Sequence, residues 1–341
     1  MRYRQSSRLR ARQNGIRPVT TEASLASLAR NPVPSGATVG FLPGKDGVLL
    51  RFARWDATRG PRRGTACVFP GRGEAIEKYF ETIADLRRRG YAVAIFDWRG
   101  QGGSERLLDN PRKGHVETFA DYEADVHALM KEIVLPDCPA PYIALGNSMG
   151  GNVLLRLSVV RDLWFDRMVL CAPLLDIAPD RLPVPPQIAK ALAKLAGIGP
   201  LGRLYVPGGT DVPYDLCPFE GNPFTSDRDR FERNRQLAEQ CPELALGSPT
   251  NRWLKAAYAS CAMLMRPEFA TRVRIPMLLV AAGMDRVVSS TAIETFASRL
   301  KIGARVALAG SQHEILQERD DIRLRFWAAF DAYLGTKSIA A

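Results

Sequence analysis

The sequence predicts an α/β fold in which a mostly parallel sheet of eight strands has helices on both faces and carries an inserted, mainly helical cap. Strands and helices alternate along the chain, and most strands are continuous apolar runs, as in strands buried on both faces. The alternation stops between about residues 174 and 258, where Pro and Gly are frequent and helical segments follow one another without strands. Since ligands bind at the carboxyl edge of such sheets, we expect the insertion to cover that edge.

The first two strands are predicted to form a hairpin, because the apolar runs at 38–42 and 48–55 are joined by a turn that contains Asp46-Gly47. Six further apolar runs predict strands at 65–70, 91–97, 142–145, 167–171, 276–281 and 304–308. Apolar periodicity predicts helices near 75–89, 118–134, 153–157, 187–195, 289–300 and 319–334. The cap helix at 187–195 is amphipathic, with Ile188, Leu192 and Leu195 on one face.

A chain of 341 residues with 46% apolar content suits one large domain that carries an insertion. We predict a core at residues 37–173 and 259–335, a cap at 174–258 and a basic, flexible arm at 1–36. The net charge is +11, and six arginines among the first 20 residues supply more than half of it. This arm is either a solvated tail or a contact for an anionic membrane, whereas no zinc-finger, RNP or heptad pattern supports a nucleic-acid partner.

The six cysteines include no Cys-x-x-Cys pair, so the sequence predicts neither a metal site nor a disulfide framework, and we expect no cofactor. This usage favours a reducing compartment. No uninterrupted apolar stretch reaches the roughly 18 residues of a transmembrane helix. The first 12 residues lack the hydrophobic segment of a secretory signal. We therefore expect a cytoplasmic protein that could bind a membrane peripherally, and the sequence does not indicate an oligomeric state.

The segment Gly146-Asn147-Ser148-Met149-Gly150 has the Gly-x-Ser-x-Gly pattern of a nucleophile elbow, between an apolar strand and a helix. A serine on such a sharp turn projects its hydroxyl away from the sheet, and glycines two residues to each side let strand and helix approach closely. The alternative is an ordinary strand-to-helix turn in which Ser148 only caps the helix. The context favours Ser148 as a nucleophile.

A serine nucleophile needs a base, and the chain offers three histidines, His115, His127 and His313. His127 falls in the middle of a predicted helix and His115 in a loop, whereas His313 follows the last predicted strand and so reaches the same carboxyl edge as Ser148. A carboxylate must orient the base. Asp285 follows the strand ending at Ala281 and is the predicted acid.

Asp97 and Asp176 also follow predicted strands and are the rival acids. With Asp285, the chain order is Ser, Asp, His, which is the order of the α/β-hydrolase arrangement. An oxyanion formed on the substrate would be held by two backbone N–H groups, for which we predict Met149 in the elbow and Arg72 in the loop Pro70-Gly71-Arg72-Gly73-Glu74.

Together these motifs resemble the α/β-hydrolases of the lysophospholipase and monoacylglycerol-lipase group, which is often annotated with serine aminopeptidases. The resemblance runs from about residue 37 to 335 and is carried by Phe69–Glu74, Asp97–Ser104, Gly146–Gly151, Gly283–Asp285 and His313-Glu314. It implies a Ser148, Asp285 and His313 triad, oxyanion donors at Arg72 and Met149, and a lid at about 174–258 over an acyl pocket. Pro70 stands where the family usually has His.

The expected activity is therefore serine-dependent hydrolysis of a lipid-like monoacyl ester, with a lysophospholipid or a monoacylglycerol as substrate and an acyl-enzyme intermediate. Predicted substrate contacts are Arg72, the apolar cap residues Ile188, Leu192 and Leu195, and the cap arginines Arg228 and Arg230. Acidic residues interleave with these arginines, so the alternative is a solvated charged helix. Two other functions stay open, a peptidase of the aminopeptidase type and a non-catalytic binding protein on the same fold.

Overall fold

The sheet has eight strands in the computed structural model, which describes residues 22–58, 62–161, 163–179 and 184–335. In chain order the strands are β1 (Thr38–Pro43), β2 (Leu49–Trp55), β3 (Thr65–Phe69), β4 (Ala92–Phe96), β5 (Tyr142–Asn147), β6 (Phe165–Cys171), β7 (Met277–Ala282) and β8 (Gly303–Leu308). Their spatial order is β1-β2-β4-β3-β5-β6-β7-β8. The hairpin β1–β2 and the pair β2–β4 are antiparallel, and all other pairs are parallel.

Helices connect the strands and cover both faces of the sheet. They are α1 (Phe80–Arg88), α2 (Phe119–Leu129), α3 (Leu135–Asp137), α4 (Met149–Leu157), α5 (Pro186–Ala196), α6 (Arg228–Gln240), α7 (Asn251–Leu264), α8 (Pro267–Ala270), α9 (Ser290–Ala297) and α10 (Asp320–Leu334). Short 3-10 segments lie at Ile76–Tyr79, Gly199–Arg203, Tyr214–Leu216, Pro242–Leu244 and Ile315–Gln317, and a π-helical turn at Met130–Val134 joins α2 to α3. No helix in the described ranges is both long and apolar enough to cross a membrane.

The central strands are apolar because both of their faces are covered. Every residue of β3, β4 and β7 is buried. Where parallel strands end, the chain leaves the sheet at one common edge, and the loops after β3, β5, β7 and β8 carry Arg72, Ser148, Asp285 and His313. The topology therefore gathers residues from four distant segments at a single edge.

The insertion forms α5, α6 and three of the 3-10 segments over this edge. Arg230 of α6 pairs with Glu81 of α1 and with Asp320 of α10, both at 2.6 Å, which fastens this half of the cap to the core. Trp253 and Ala257 of α7 belong to the main hydrophobic core. The cap boundary predicted at residue 258 thus falls inside a continuous helix that packs on the core from its first turns.

The described part of the N-terminal segment, residues 22–36, is bound to the core, contrary to the prediction of a flexible arm. The carbonyl of Ser24 accepts a hydrogen bond from Arg51 at 2.9 Å, and the side chain of Asn31 donates to the carbonyl of Glu77 at 2.9 Å. Local sequence could not predict these contacts, because their partners lie on β2 and on the 3-10 segment before α1. The arginine-rich residues 1–21 lie outside the described ranges.

Arg51 is the buried cation on which this segment converges. Its guanidinium lies 2.7 Å from Glu77 and 2.6 Å from Asp97, and both carboxylates are fully buried. Asp97 also accepts a hydrogen bond from the backbone N–H of Ile76 at 2.9 Å. Asp97, the first rival acid, is therefore occupied by Arg51 and by the start of the 3-10 segment before α1.

Replacing Arg51 with Met is expected to lower the free energy of unfolding by about 3–5 kcal/mol, because two buried carboxylates would lose their cation. Urea denaturation followed by circular dichroism measures the change. Arg272→Met, at an exposed position, is the matched control and should stay within about 0.5 kcal/mol of the unsubstituted protein. A loss below about 1 kcal/mol for Arg51→Met, of the size seen for exposed pairs, would contradict this account.

Candidate active site

Ser148 lies on the turn between β5 and α4 in a backbone conformation that is rare for residues with a side chain, with φ 49° and ψ −111°. The close packing of this turn requires glycine on the helix side. A Cβ atom at Gly150 would lie 2.2 Å from the carbonyl oxygen of Phe69 at the end of β3. The Gly-x-Ser-x-Gly pattern thus corresponds to a real steric requirement.

His313 and Asp285 lie in line behind Ser148. The Nε2 atom of His313 is 2.9 Å from the Oγ atom of Ser148, and its Nδ1 atom is 2.8 Å from Oδ2 of Asp285. The other carboxylate oxygen of Asp285 accepts backbone N–H groups of Val287 and Val288 at 2.8 and 2.9 Å. The carboxylate is therefore held in place, and the imidazole has one orientation that satisfies both neighbours.

The electrostatics of this pair favour the charged forms of both groups. Burial opposes a charge on His313, but the carboxylate of Asp285, followed by those of Glu314 and Glu74, outweighs it and raises the pKa of His313. Burial likewise opposes a charge on Asp285, but the adjacent imidazole and the two backbone N–H donors lower its pKa. Asp285 is thus ionised where His313 titrates, and His313 is a neutral base only above its raised pKa.

The other two histidines lie elsewhere. The Nδ1 atom of His115 is 2.9 Å from the hydroxyl of Thr250, and burial lowers the pKa of His115. The ring of His127 packs edge-on against Trp164 at 4.9 Å. The second rival acid, Asp176, pairs with Lys190 at 2.8 Å. Only His313 therefore contacts Ser148 among the three candidate bases.

The loop after β3 is tied down on both sides of Arg72. Glu74 accepts a hydrogen bond from the N–H of Gly71, and Gln101 accepts one from the N–H of Gly73 at 2.7 Å. Trp98 donates to the carbonyl of Pro70 at 2.8 Å, so the proline still anchors the loop through its acceptor. Met149 is the first residue of α4, where backbone N–H groups have no partner within the helix.

A cavity of about 660 Å³ opens above Ser148. Its wall is mostly apolar, and much of it comes from the cap and α7, through residues that include Ala189, Leu192, Ala193, Val206, Val212, Trp253, Leu254 and Tyr258. Its ionisable side chains other than tyrosine are Arg72, Glu74, His313 and Glu314, and hydroxyl or amide groups come from Ser148, Tyr214, Ser248, Asn251 and Tyr258. The site is therefore shaped for an apolar chain with a polar end near Ser148.

Arg72 is the one arginine or lysine on the described wall of this cavity. Its guanidinium donates to the carbonyl of Gly247 at 2.6 Å and lies 5.3 Å from the ring centroid of Trp253. A Cβ at Gly114 would come within 2.3 Å of the guanidinium, so the side chain is closely enclosed. Arg72 is held in a fixed position at the wall.

The other predicted substrate contacts divide into two groups. Leu192 lines the cavity, but Ile188 and Leu195 face outward, and the side chain of Leu195 is 68% exposed. Arg228 and Arg230 do not line the cavity, and the prediction that they contact the substrate is corrected accordingly. Arg228 pairs with Glu220 at 2.6 Å, and Arg230 is occupied by the ion pairs that fasten α6 to the core.

Four polar residues of this region were not predicted as site residues, namely Glu74, Lys78, Tyr214 and Glu314. Glu74 and Glu314 had a signal, because Glu74 ends the predicted oxyanion loop and Glu314 directly follows the predicted base in the sequence. Lys78 and Tyr214 had none, since their hydrogen bond joins segments 136 residues apart. Within the described ranges, no cluster of His, Cys, Asp and Glu side chains could hold a metal ion.

The sequence is similar to a known family and to known lysophospholipases. A sequence model of the family described as serine aminopeptidase, S33, matches residues 60–320. The chain is 31% identical to lysophospholipase L2 of Escherichia coli strain K12 over 287 residues, which cover 82% of each chain. It is 24% identical to probable lysophospholipase L2 of Haemophilus influenzae, covering 87% of this chain and 92% of the relative.

Among solved structures, a soluble variant of monoglyceride lipase from Saccharomyces cerevisiae superposes with a TM-score of 0.66. The match covers 89% of this chain and 97% of that one at 18% sequence identity. At this identity the likeness concerns the fold alone. It confirms the predicted architecture of a mostly parallel sheet with helices on both faces.

Proposed function

The chain belongs to the serine aminopeptidase (S33) family of α/β-hydrolases, in its lysophospholipase and monoacylglycerol-lipase group, and on that premise we propose that it cleaves lipid-like monoacyl esters through a Ser148, His313 and Asp285 relay. The match to the family model and the similarity to lysophospholipase L2 confirm the predicted family, and the protein is an ester hydrolase. The observation that carries the proposed mechanism is the continuous path of 2.9 and 2.8 Å from Ser148 through His313 to Asp285.

In the first half of the proposed reaction, Ser148 Oγ attacks the acyl carbonyl while His313 Nε2 takes its proton. Asp285 keeps the imidazole oriented and stabilises the imidazolium. In this proposal, the N–H groups of Arg72 and Met149 donate to the oxyanion of the tetrahedral intermediate. Collapse of that intermediate breaks the ester bond, and His313 returns the proton to the leaving alcohol, which leaves an acyl-enzyme.

In the second half, a water molecule replaces the alcohol. His313 takes a proton from the water as it attacks the acyl carbonyl, the same N–H groups hold the second oxyanion, and the proton passes back to Ser148 as the fatty acid leaves. The strained turn at Ser148 supports this cycle, because it presents the hydroxyl to the base directly before the first turn of α4.

The cavity supports a substrate with one long apolar chain and a polar headgroup. Its apolar wall suits an acyl chain, and Arg72 offers a fixed guanidinium that would pair with a phosphate. A lysophospholipid fits both features, whereas a monoacylglycerol fits only the first. The names of the relatives, lysophospholipase L2 and monoglyceride lipase, agree with this choice of substrate class.

The apolar cap face is a second feature that suits a lipid substrate. We use this name for the exposed side chains Ile188, Leu192, Leu195, Ile198, Leu201, Leu204 and Val212. Leu192 and Val212 also line the cavity, so the face is continuous with its wall. Burying such a face in a bilayer would bring the cavity to the lipid, and we propose that it is the membrane-contacting surface of the protein.

Replacing Ser148 with Ala is expected to reduce turnover of p-nitrophenyl esters, lysophospholipids and monoacylglycerols by at least about 10³-fold, because the nucleophile is lost. A panel that also contains aminoacyl-arylamides tests the peptidase alternative. Circular dichroism and thermal unfolding check that the fold is retained. Unchanged ester turnover would refute the proposed nucleophile, and faster cleavage of arylamides than of esters would favour the peptidase.

Replacing Arg72 with Met is expected to lower kcat/KM for a lysophospholipid by about 10- to 100-fold relative to a monoacylglycerol of equal chain length, because a charged hydrogen bond to the phosphate is lost. The ratio between substrates removes any effect on the oxyanion loop, which both substrates share. Arg112→Met is the matched control, since Arg112 also donates to a cap carbonyl, that of Ala245, without lining the cavity. An unchanged ratio for Arg72→Met would exclude phosphate recognition by this residue.

Replacing Leu195 and Ile198 with Ser is expected to weaken binding to phosphatidylglycerol and phosphatidylcholine vesicles by about tenfold, since two exposed apolar side chains would no longer enter the bilayer. Vesicle sedimentation measures the partition coefficient. Leu324→Ser removes a comparably exposed apolar side chain from α10 and should leave it unchanged. Equal binding of the double variant and the unsubstituted protein would rule out the apolar cap face as the membrane contact.

A further inference from the structure

A buried lysine lies beside the candidate active site and takes no part in the proposed relay. Lys78 belongs to the 3-10 segment Ile76–Tyr79, and its side chain is 4% exposed. Its Nζ atom is 2.8 Å from Oε1 of Glu314, the residue that follows His313. A lysine buried to this degree is costly unless its charge is matched, so its position calls for a specific role.

The same lysine also contacts the cap. Its Nζ atom is hydrogen-bonded to the hydroxyl of Tyr214, lies 4.8 Å from the centroid of that ring, and is 3.6 Å from Asp215. The hydroxyl of Tyr214 donates in turn to Oε1 of Glu314 at 2.7 Å. We call Lys78, Glu314, Tyr214 and Asp215 the Lys78 cluster. It joins a core segment, the loop of the base and a cap segment around one cation.

The cap segment is held against the base by further contacts. The backbone N–H of Glu314 donates to the carbonyl of Phe224 at 2.7 Å, and the ring of Phe224 lies between that of Tyr214, at 4.0 Å, and the imidazole of His313, at 6.3 Å. A movement of Glu314 would therefore be transmitted to His313 both along the chain and through the packed rings.

The charges around His313 are mostly negative. The titratable and charged groups that face His313 or the Lys78 cluster from the packed elements are Asp285, Glu314, Glu74, Asp215, Tyr79, Tyr214, Arg72 and Lys78. Both Glu314 and Glu74 raise the pKa of His313. Burial raises the pKa of Glu74, and the carboxylate of Glu314 contributes to this increase.

Lys78 is the cation in direct contact with this negative group. Burial alone would lower the pKa of Lys78, but Asp215, Glu314 and Glu74 outweigh it and raise its pKa, so the ammonium stays charged. Burial raises the pKa of Asp215 to about 6 although Lys78 acts in the opposite direction. The ammonium therefore offsets negative charge that would otherwise act on the imidazole.

We propose that Lys78 is a positioning residue for the ester hydrolysis proposed above: it neutralises Glu314 beside the base and fixes two cap residues, Tyr214 on the cavity wall and Asp215 next to it in the chain. The inference rests on the proposed function, because it concerns the same base. His313 must be neutral to accept the proton of Ser148, and every uncompensated carboxylate nearby favours the imidazolium. Lys78 thus keeps the base in its neutral form at lower pH than the surrounding carboxylates alone would allow.

The direct test is a titration of His313 by NMR, which does not depend on turnover. The chain has three histidines, so their imidazole signals can be resolved and assigned with single substitutions. Lys78→Met should raise the titration midpoint of His313 by about 0.5–1 pH unit, and Glu314→Gln should lower it. In the double variant, which loses both charges, the titration midpoint of His313 should return towards that of the unsubstituted protein. In Lys78→Arg, which retains the charge, the midpoint should stay near the unsubstituted value.

Kinetics give a second readout. The acid limb of the kcat/KM profile against pH should follow the titration midpoint of His313. At pH values below that midpoint, Lys78→Met should therefore lose about three- to tenfold in kcat/KM, while its plateau at higher pH changes less. Lys301→Met removes an exposed lysine before β8, at the opposite end of that strand from His313, and should leave the profile unchanged.

The outcomes separate this inference from the proposed function. A midpoint of His313 that is unchanged or lowered in Lys78→Met overturns the inference, even if Ser148→Ala shows that the esterase mechanism is correct. If Lys78→Met does not fold, Glu314→Gln decides, because an unchanged midpoint in that nearly isosteric variant also overturns the inference. Failure of the Ser148→Ala test would refute the esterase proposal while the NMR midpoints still report on the charge of Lys78.

Discussion

The approach of α4 to the end of β3 is the contact on which the candidate site depends. Gly150 lets the first turn of the helix pass against the backbone of Phe69, where any side chain would collide with a carbonyl oxygen at 2.2 Å. This contact sets the distance between the N–H groups that start α4 and the loop that follows β3. It also holds Ser148 in its strained turn, which points the hydroxyl towards His313 rather than into the sheet.

Around this contact, the protein buries several charged side chains that pair with partners from distant segments. Arg51 lies between Glu77 and Asp97, Lys78 contacts Glu314 and Asp215, and Asp285 faces His313. Because an unpaired buried charge is costly, these pairs fix the relative positions of the segments that contribute to them. Ion pairing thus determines the relative orientation of these segments, which apolar packing alone would not determine.

The cap combines two kinds of surface. Its α6 half is fastened to the core by ion pairs between Arg230 and the carboxylates of Glu81 and Asp320. Its α5 half places apolar side chains both on the cavity wall and on the outside of the protein. An enzyme that takes an amphiphilic substrate from a lipid surface would need both halves, since one holds the site together while the other meets the lipid.

The sequence by itself determined the architecture, the family and the order of the catalytic candidates. Eight apolar runs became eight strands, and the fully buried β3, β4 and β7 lie inside the sheet, because a run that is apolar on both faces is stable only where both faces are covered. Ser148, Asp285 and His313 could be selected because each follows a strand, and the carboxyl ends of parallel strands share one edge. The Gly-x-Ser-x-Gly pattern added the elbow, since its glycines meet a local steric requirement.

Only the tertiary structure decided which side chains share the cavity. The sequence predicts substrate contacts at Arg228, Arg230 and Leu195 because of their charge or apolar character. In the structure, Arg228 and Arg230 pair with Glu220 and Glu81, and Leu195 faces outward. Lys78 has no local signature, because its partners stand on another loop and in the cap. Long-range pairing of buried charges depends on positions in space rather than on spacing along the chain, and periodicity carries no information about it.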